Sequence, residues 1–168
     1  MKQFWNDIKD YVFIVIAVLL IRTFLCTPAI VDGSSMDTTL AEGQMVIINK
    51  LHYRIKDIKR FDIVVVKNRE DKDKIIKRII GLPNEHIEYK DGKLYINGVL
   101  KEAKDVTFQP TEDFEYQTKE GEYFVLGDNR PVSKDSRYLG AFTKDDIVGR
   151  VDIRLWPVNK IGLIKGGK

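Results

Sequence analysis

Two short stretches of this 168-residue chain hold side chains with the reactivity for acid–base or nucleophilic chemistry. The first is Gly33-Ser34-Ser35-Met36-Asp37-Thr38-Thr39-Leu40. By composition a Gly-Ser-Ser run is a turn, and a serine on a turn becomes a nucleophile only when a base stands beside it. The second is Ile75-Ile76-Lys77-Arg78-Ile79-Ile80, followed by Gly81-Leu82-Pro83. On a strand, alternation puts Ile75, Lys77 and Ile79 on one face and Ile76, Arg78 and Ile80 on the other. If the face of Lys77 is the core side, burial disfavours the ammonium and lowers its pKa, by up to roughly 3–5 when burial is complete. Such a lysine takes a proton from a serine near neutral pH. If the strand is an edge, the same lysine snorkels to water. The residues alone leave both alternatives open. The remaining candidates are weaker. His52 lies in the basic stretch 50–59 and His86 beside a predicted hairpin, and neither has neighbours that make it a base. A Ser-His-Asp triad is therefore poorly supported. The single cysteine, Cys26, excludes an internal disulfide framework and a Cys-based zinc site. The chemistry is expected to need no metal and no cofactor.

These residues must be positioned by elements that the hydropathy pattern outlines. A content of 43% hydrophobic and 32% charged residues excludes a disordered or low-complexity chain, and the length suits one domain. The net charge of +3 is spread along the chain and gives poor support for nucleic-acid binding. From Tyr11 to Ile21 every residue is apolar or aromatic, and Phe24-Leu25-Cys26 continues the run after Arg22. A helix from Tyr11 to Cys26 spans about 24 Å, slightly short of the roughly 30 Å hydrocarbon core. Residues 27–31 can close the gap, Arg22 can snorkel, and Pro28 is a place for the helix to stop. Arg22 and the weak cut site Thr27-Pro28-Ala29 argue against a cleaved signal peptide. Lys2, Lys9 and the terminal amine precede the run, whereas residues 27–49 contain no Lys or Arg. The positive-inside rule then predicts a single-pass protein of the cell membrane with a cytoplasmic N-terminus. The expected division is a cytoplasmic segment 1–10, a transmembrane anchor 11–27 and an extracytoplasmic catalytic β domain 28–168. Within that domain, strands are predicted at 62–67, 74–80, 87–89, 94–96, 122–126 and 147–155, with turns at Asp91-Gly92 and Asn97-Gly98. The polar stretch Lys101–Gly121 reads as loop, inside a short insertion at about 84–122. The fold class is mainly β, an antiparallel domain carried on one N-terminal transmembrane helix.

A third stretch, Gly127-Asp128-Asn129-Arg130-Pro131-Val132-Ser133-Lys134-Asp135-Ser136-Arg137-Tyr138-Leu139-Gly140, resembles the carboxyl-side signature of the type I signal peptidases. The pattern Gly-Asp-Asn-Arg, then Ser, then Asp-Ser-Arg, then Gly is matched at each position. Lys77-Arg78 with Gly81-Leu82-Pro83 resembles the family's lysine box, and Gly33 to Leu40 its serine box, in the family's order and behind an anchor of its orientation. The stretch between Pro83 and Gly127 resembles the compact Gram-positive form. This resemblance, which covers nearly the whole chain, implies the antiparallel Ser-Lys fold and a serine endopeptidase that cleaves signal peptides from exported preproteins. It implies Ser35 as nucleophile, Lys77 as general base and Ser133 as the hydroxyl that holds the lysine amine. The Ser35 N–H donates to the oxyanion, with Gly33 standing where some relatives add a serine hydroxyl. Arg78, Asp128, Arg130, Asp135 and Arg137 are implied to be paired charges that buttress the dyad. Met36, Leu40, Val31 and Ile76 are implied to wall shallow pockets for small residues at −1 and −3 of an extended substrate. The implied partners are signal-peptide-bearing preproteins, the lipid bilayer and the protein export machinery, with no nucleic acid.

Three departures stand out. The proline usual after Ser-Met-x is Thr38, a frequent aromatic before the lysine box is Ile75, and a frequent glycine before Asp62 is Phe61. None removes a reacting group. They leave room for an alternative, a pathway-specific or non-catalytic relative acting in surface pilus assembly.

Overall fold

A computed structural model describes residues 9–16, 18, 25–71, 73–104, 106–164 and 166. The chain begins its β structure with β1 (Cys26–Ile30), β2 (Met45–Asn49), β3 (Ile63–Lys67) and β4 (Lys74–Gly81). It continues with β5 (His86–Lys90), β6 (Lys93–Ile96), β7 (Val99–Lys101) and β8 (Phe114–Gln117), then β9 (Glu122–Leu126), β10 (Phe142–Thr143), β11 (Ile147–Trp156) and β12 (Gly162–Leu163). The larger sheet runs β1-β2-β11-β3-β4-β9-β10, with β12 against β11, and the smaller runs β7-β6-β5-β8. The fold is mainly antiparallel β, as the hydropathy pattern predicts.

The β-branched run in β3 is continuous because that strand is covered on both faces. Ile63 and Val65 pack with Val31, Met36, Leu40, Val46 and Ile48, whereas Val64 and Val66 pack with Tyr53, Ile58, Ile79, Val125 and Phe142. In β4 the expected alternation holds: Ile75 and Ile79 join the second of these clusters, and Ile76 packs on the first. β4 lies between β3 and β9 in the sheet, and Lys77 is buried, which removes the snorkelling reading. Its neighbours are unequal, however. β3 pairs with Lys74 to Arg78, while β9 pairs only with Arg78, Ile79 and Gly81. Residues 74–77 therefore have no strand on the β9 side among the described residues.

The smaller sheet lays Ile87, Tyr89, Leu94 and Ile96 onto Phe61, Ile80, Phe124 and Leu126 of the larger one. Its hairpins close where the sequence places them. Asp91 and Gly92 have φ of 50° and 75°, Asn97 and Gly98 of 51° and 76°, the left-handed pairs that two-residue turns need. The stretch 101–121 is not all loop: β8 lies in it and pairs with β5 from His86 to Tyr89. Its alternation, Phe-Glu-Tyr-Gln, is too short to be decisive alone. The partner strand and the stacking of Phe114 and Tyr116 on Phe124, at 5.8 and 4.6 Å between ring centres, make it a strand. The expected insertion 84–122 thus holds the smaller sheet.

The expected cytoplasmic segment and anchor fall largely outside the described residues, which exclude 1–8, 17 and 19–24. Residues 9–16 and 18 are helical, and among the described residues no helix is long and apolar enough to cross a membrane. The predicted helix does not extend to Cys26 and Thr27. Both belong to β1, paired with Asn49 and Ile48. Pro28 sits inside that edge strand, a position where a missing N–H is tolerated.

Candidate active site

Ser35 lies in the turn between β1 and β2, and Lys77 in the half of β4 that lacks a β9 partner. Lys77 is 3% exposed, and its Nζ stands 2.8 Å from Ser35 Oγ. Burial lowers the pKa of the amine from 10.5 to about 8, against the opposing pull of the Asp135 and Asp128 carboxylates. An ammonium donates to the serine oxygen; once the amine is neutral, the same contact lets the Ser35 O–H donate to it. Among the described residues the Ser35 N–H donates no hydrogen bond, and its carbonyl accepts from the Asn129 N–H at 3.0 Å.

Beneath this pair lies a buried polar frame. Arg78 Nε and Nη2 donate to Asp128 Oδ1 and Oδ2 at 2.8 and 2.6 Å, with side-chain exposures of 0% and 1%. The third guanidinium nitrogen, Nη1, donates to Phe61 O at 2.9 Å. Thr39 Oγ1 accepts from Arg78 Nη2 and donates to Asp128 Oδ2, so the turn that carries Ser35 is tied to the pair directly. A second pair, Arg137 with Asp135, holds the turn after β9: Asp135 Oδ2 accepts from the Gly127 N–H, and Arg137 Nη2 donates to Arg130 O. Arg130 Nε donates to Gly127 O. Gly127 cannot carry a side chain, because a Cβ there would lie 2.3 Å from Ser133 Oγ and 2.5 Å from Ser35 O.

All of the predicted charged residues converge on this frame. Ser133 does not take its expected part. Among the described residues its buried hydroxyl has no hydrogen-bond partner, the Lys77 amine included, and the side chain lies against Gly127. A groove of about 360 Å³ beside Ser35 and Lys77 is lined by Val31, Met36 and Ile76, with Asp32, Asp73 and Lys74 also along it. Leu40 is fully buried in the core and does not line the groove. Both histidines stand in surface pairings, His52 with Arg150 and His86 near Glu115. Thr39 and Asn129 were not singled out by residue chemistry. Thr39 looks like an ordinary turn threonine, and only its place beside Asp128 gives it a role.

Two of the departures have left-handed backbone: Thr38 at φ 93° and Phe61 at φ 67°. The Phe61 conformation is one that a glycine adopts freely. The Thr38 conformation is closed to proline, whose ring holds φ near −65°. Thr38→Pro is expected to destabilise the protein by about 2 kcal/mol or more in urea unfolding. Lys77→Met removes a base whose burial penalises its charge. Below pH 8 both folded and unfolded lysine are protonated and the folded state carries the whole penalty, which fades as pH rises from about 8 to 10.5. At pH 7 Lys77→Met is expected to raise stability by about 1–3 kcal/mol, with the gain shrinking above pH 8.

The chain matches the family model described as "Signal peptidase, peptidase S26" over residues 4–156. It is 40% identical to a protein named Signal peptidase I P from Bacillus subtilis subsp. natto, with 92% of this chain and 90% of that one covered. It is 34% identical to Signal peptidase I of Streptococcus pneumoniae, with 96% and 99% covered. The crystal structure of a signal peptidase I from Enterococcus faecalis superposes with a TM-score of 0.51 at 39% identity, covering 56% of this chain and 97% of that one. This chain therefore belongs to the signal peptidase family, peptidase S26, and is a serine peptidase, a hydrolase.

Proposed function

We propose that the protein is a membrane-anchored endopeptidase that removes signal peptides from exported preproteins, with Ser35 as nucleophile and Lys77 as general base. The observation that carries this reading is the 2.8 Å contact between Lys77 Nζ and Ser35 Oγ, in surroundings that hold the amine at about 8. Neutral Lys77 accepts the Ser35 proton as Oγ bonds to the scissile carbonyl carbon. Negative charge moves to the carbonyl oxygen, where the Ser35 N–H, which donates to nothing among the described residues, takes the role of donor. Lys77 then returns the proton to the leaving amine as the C–N bond breaks, which leaves an acyl ester on Ser35. Water gives a proton to Lys77 and attacks the ester, and Ser35 departs with that proton.

Substrate binding follows from the incomplete pairing of β4. An extended peptide lying along residues 74–77 takes up the free backbone groups, while Val31, Met36 and Ile76 wall a groove suited to small side chains at −1 and −3. The apolar residues of 9–16 are half or more exposed, as are Ile30, Trp156, Val158, Ile161 and Leu163 on strands and turns of the larger sheet. These surfaces suit lipid contact, with the N-terminus cytoplasmic and the groove outside, where the export machinery delivers preproteins. Thr38 and Phe61 favour a restricted substrate set, such as pilins, over a non-catalytic role, since a binding module has no need of a desolvated lysine.

The test is cleavage of a preprotein by the full chain in detergent. Ser35→Ala and Lys77→Ala are each expected to lower kcat by at least about 10³-fold, and full activity in both overturns the reading. Because the base must be neutral, kcat/KM is expected to rise with pH and level off above about 8. A profile flat from pH 6 to 10 contradicts Lys77 as the base.

A further inference from the structure

The segment between β7 and β8 touches the buried frame at three points. Thr38 Oγ1 donates to Thr107 O at 2.9 Å, the Gln109 N–H donates to Asp128 O at 3.0 Å, and the Phe108 ring lies 6.4 Å from that of Phe61. Phe108 also lies near both buried guanidiniums, with Arg130 Cζ 4.5 Å and Arg78 Cζ 5.8 Å from its ring centre. Arg130 is 2% exposed, burial lowers its pKa to about 10, and among the described residues its Nη1 has no hydrogen-bond partner. Among the described residues the rings of Phe108 and of Tyr89, the latter at 5.5 Å, are what face this guanidinium in place of an acceptor for Nη1. Arg130 in turn holds Gly127 O, and Gly127 is packed against Ser35 O and Ser133.

We propose that Phe108 is a positioning residue for the hydrolysis, a brace whose aromatic face supports Arg130 and Arg78 and through them the placement of Ser35. This rests on the Ser35–Lys77 reading above. The brace is matched to this chain. The two residues that fasten it, Thr38 and Phe61, are the two positions where a proline and a glycine would be usual. A proline has no hydroxyl to reach Thr107, and a glycine has no ring to meet Phe108. Both fastening residues accept left-handed backbone, a cost that their contacts with the brace offset.

The experiment compares Phe108→Leu, Phe108→Met and Phe108→Tyr with the parent and with Ser35→Ala. All are full chains in micelles, checked by urea unfolding and assayed on a peptide with Ala at −1 and −3. Leu and Met keep the apolar bulk but lose the π face, so kcat is expected to fall about tenfold with KM within about twofold. Tyr keeps the face and is expected to hold kcat within about twofold of the parent. Parental kcat in Leu and Met, a loss confined to KM, or a Tyr variant as slow as Leu overturns the brace. Thr38→Val deletes only the tether to Thr107 and is expected to lower kcat about threefold. If Leu and Met fail to fold, unchanged kcat in Thr38→Val overturns the brace by itself. Activity surviving in Ser35→Ala overturns the Ser35 reading, whereas parental Phe108 variants beside an inactive Ser35→Ala overturn the brace alone.

Discussion

Arg78 and Asp128 meet with both side chains withdrawn from water, and charges so placed are tolerable only when each donor and acceptor is met. That requirement reaches well beyond the two residues. Arg78 needs the Phe61 carbonyl, which a left-handed residue turns toward it, and Thr39 from the turn that carries Ser35. Asp128 needs β9 to pair with β4 in the register that sets Leu126 opposite Arg78. Four separated parts of the chain, at Thr39, Phe61, Arg78 and Asp128, are therefore fixed to one another around a single ion pair. Lys77, the residue before Arg78, comes to Ser35 as a consequence.

The burial that makes the pair demanding also gives Lys77 the lowered pKa that the proposed role of base requires. A surface lysine near 10.5 is protonated at neutral pH and is useless as a base, whereas withdrawal from water brings Lys77 to about 8. Asp135 and Asp128 pull the other way, yet desolvation wins. Their carboxylates are engaged by Arg137 and Arg78, which limits how far they favour the ammonium. The site thus keeps a low dielectric around the amine while confining its charges to matched pairs. Among the described residues the Ser133 hydroxyl and Arg130 Nη1 are two places in this frame where the matching is incomplete.

Much of the fold was legible in residue order because local physics dictated it. The run Ile63-Val64-Val65-Val66 has no good alternative to a covered strand, and Asp-Gly and Asn-Gly pairs turn where left-handed backbone is cheap. The stretch 101–121 looks like loop in residue order because β8 is four residues with two aromatics, and its strand character comes from β5 and Phe124. The helix predicted through Thr27 was cut short at Cys26 for a similar reason. Hydropathy registers an apolar run, but pairing with β2 decides where extended backbone begins. Leu40 shows the same limit, since an apolar residue near a nucleophile can serve a pocket or the core, and packing chose the core.

Residue types and their order narrow the candidate reactive groups to a serine and a lysine, because neither histidine has neighbours that make it a base and the chain holds one cysteine, and it is the resemblance to the family's boxes that implies their pairing. They also determined the strands that carry Lys77, through a period of two. What only the tertiary structure decided is which partners meet: Thr39 with Asp128, Asn129 with Ser35 and Phe108 with two arginines. Those contacts join residues far apart in the chain. Their strength comes from the exclusion of water, and that exclusion exists only after the sheets have packed.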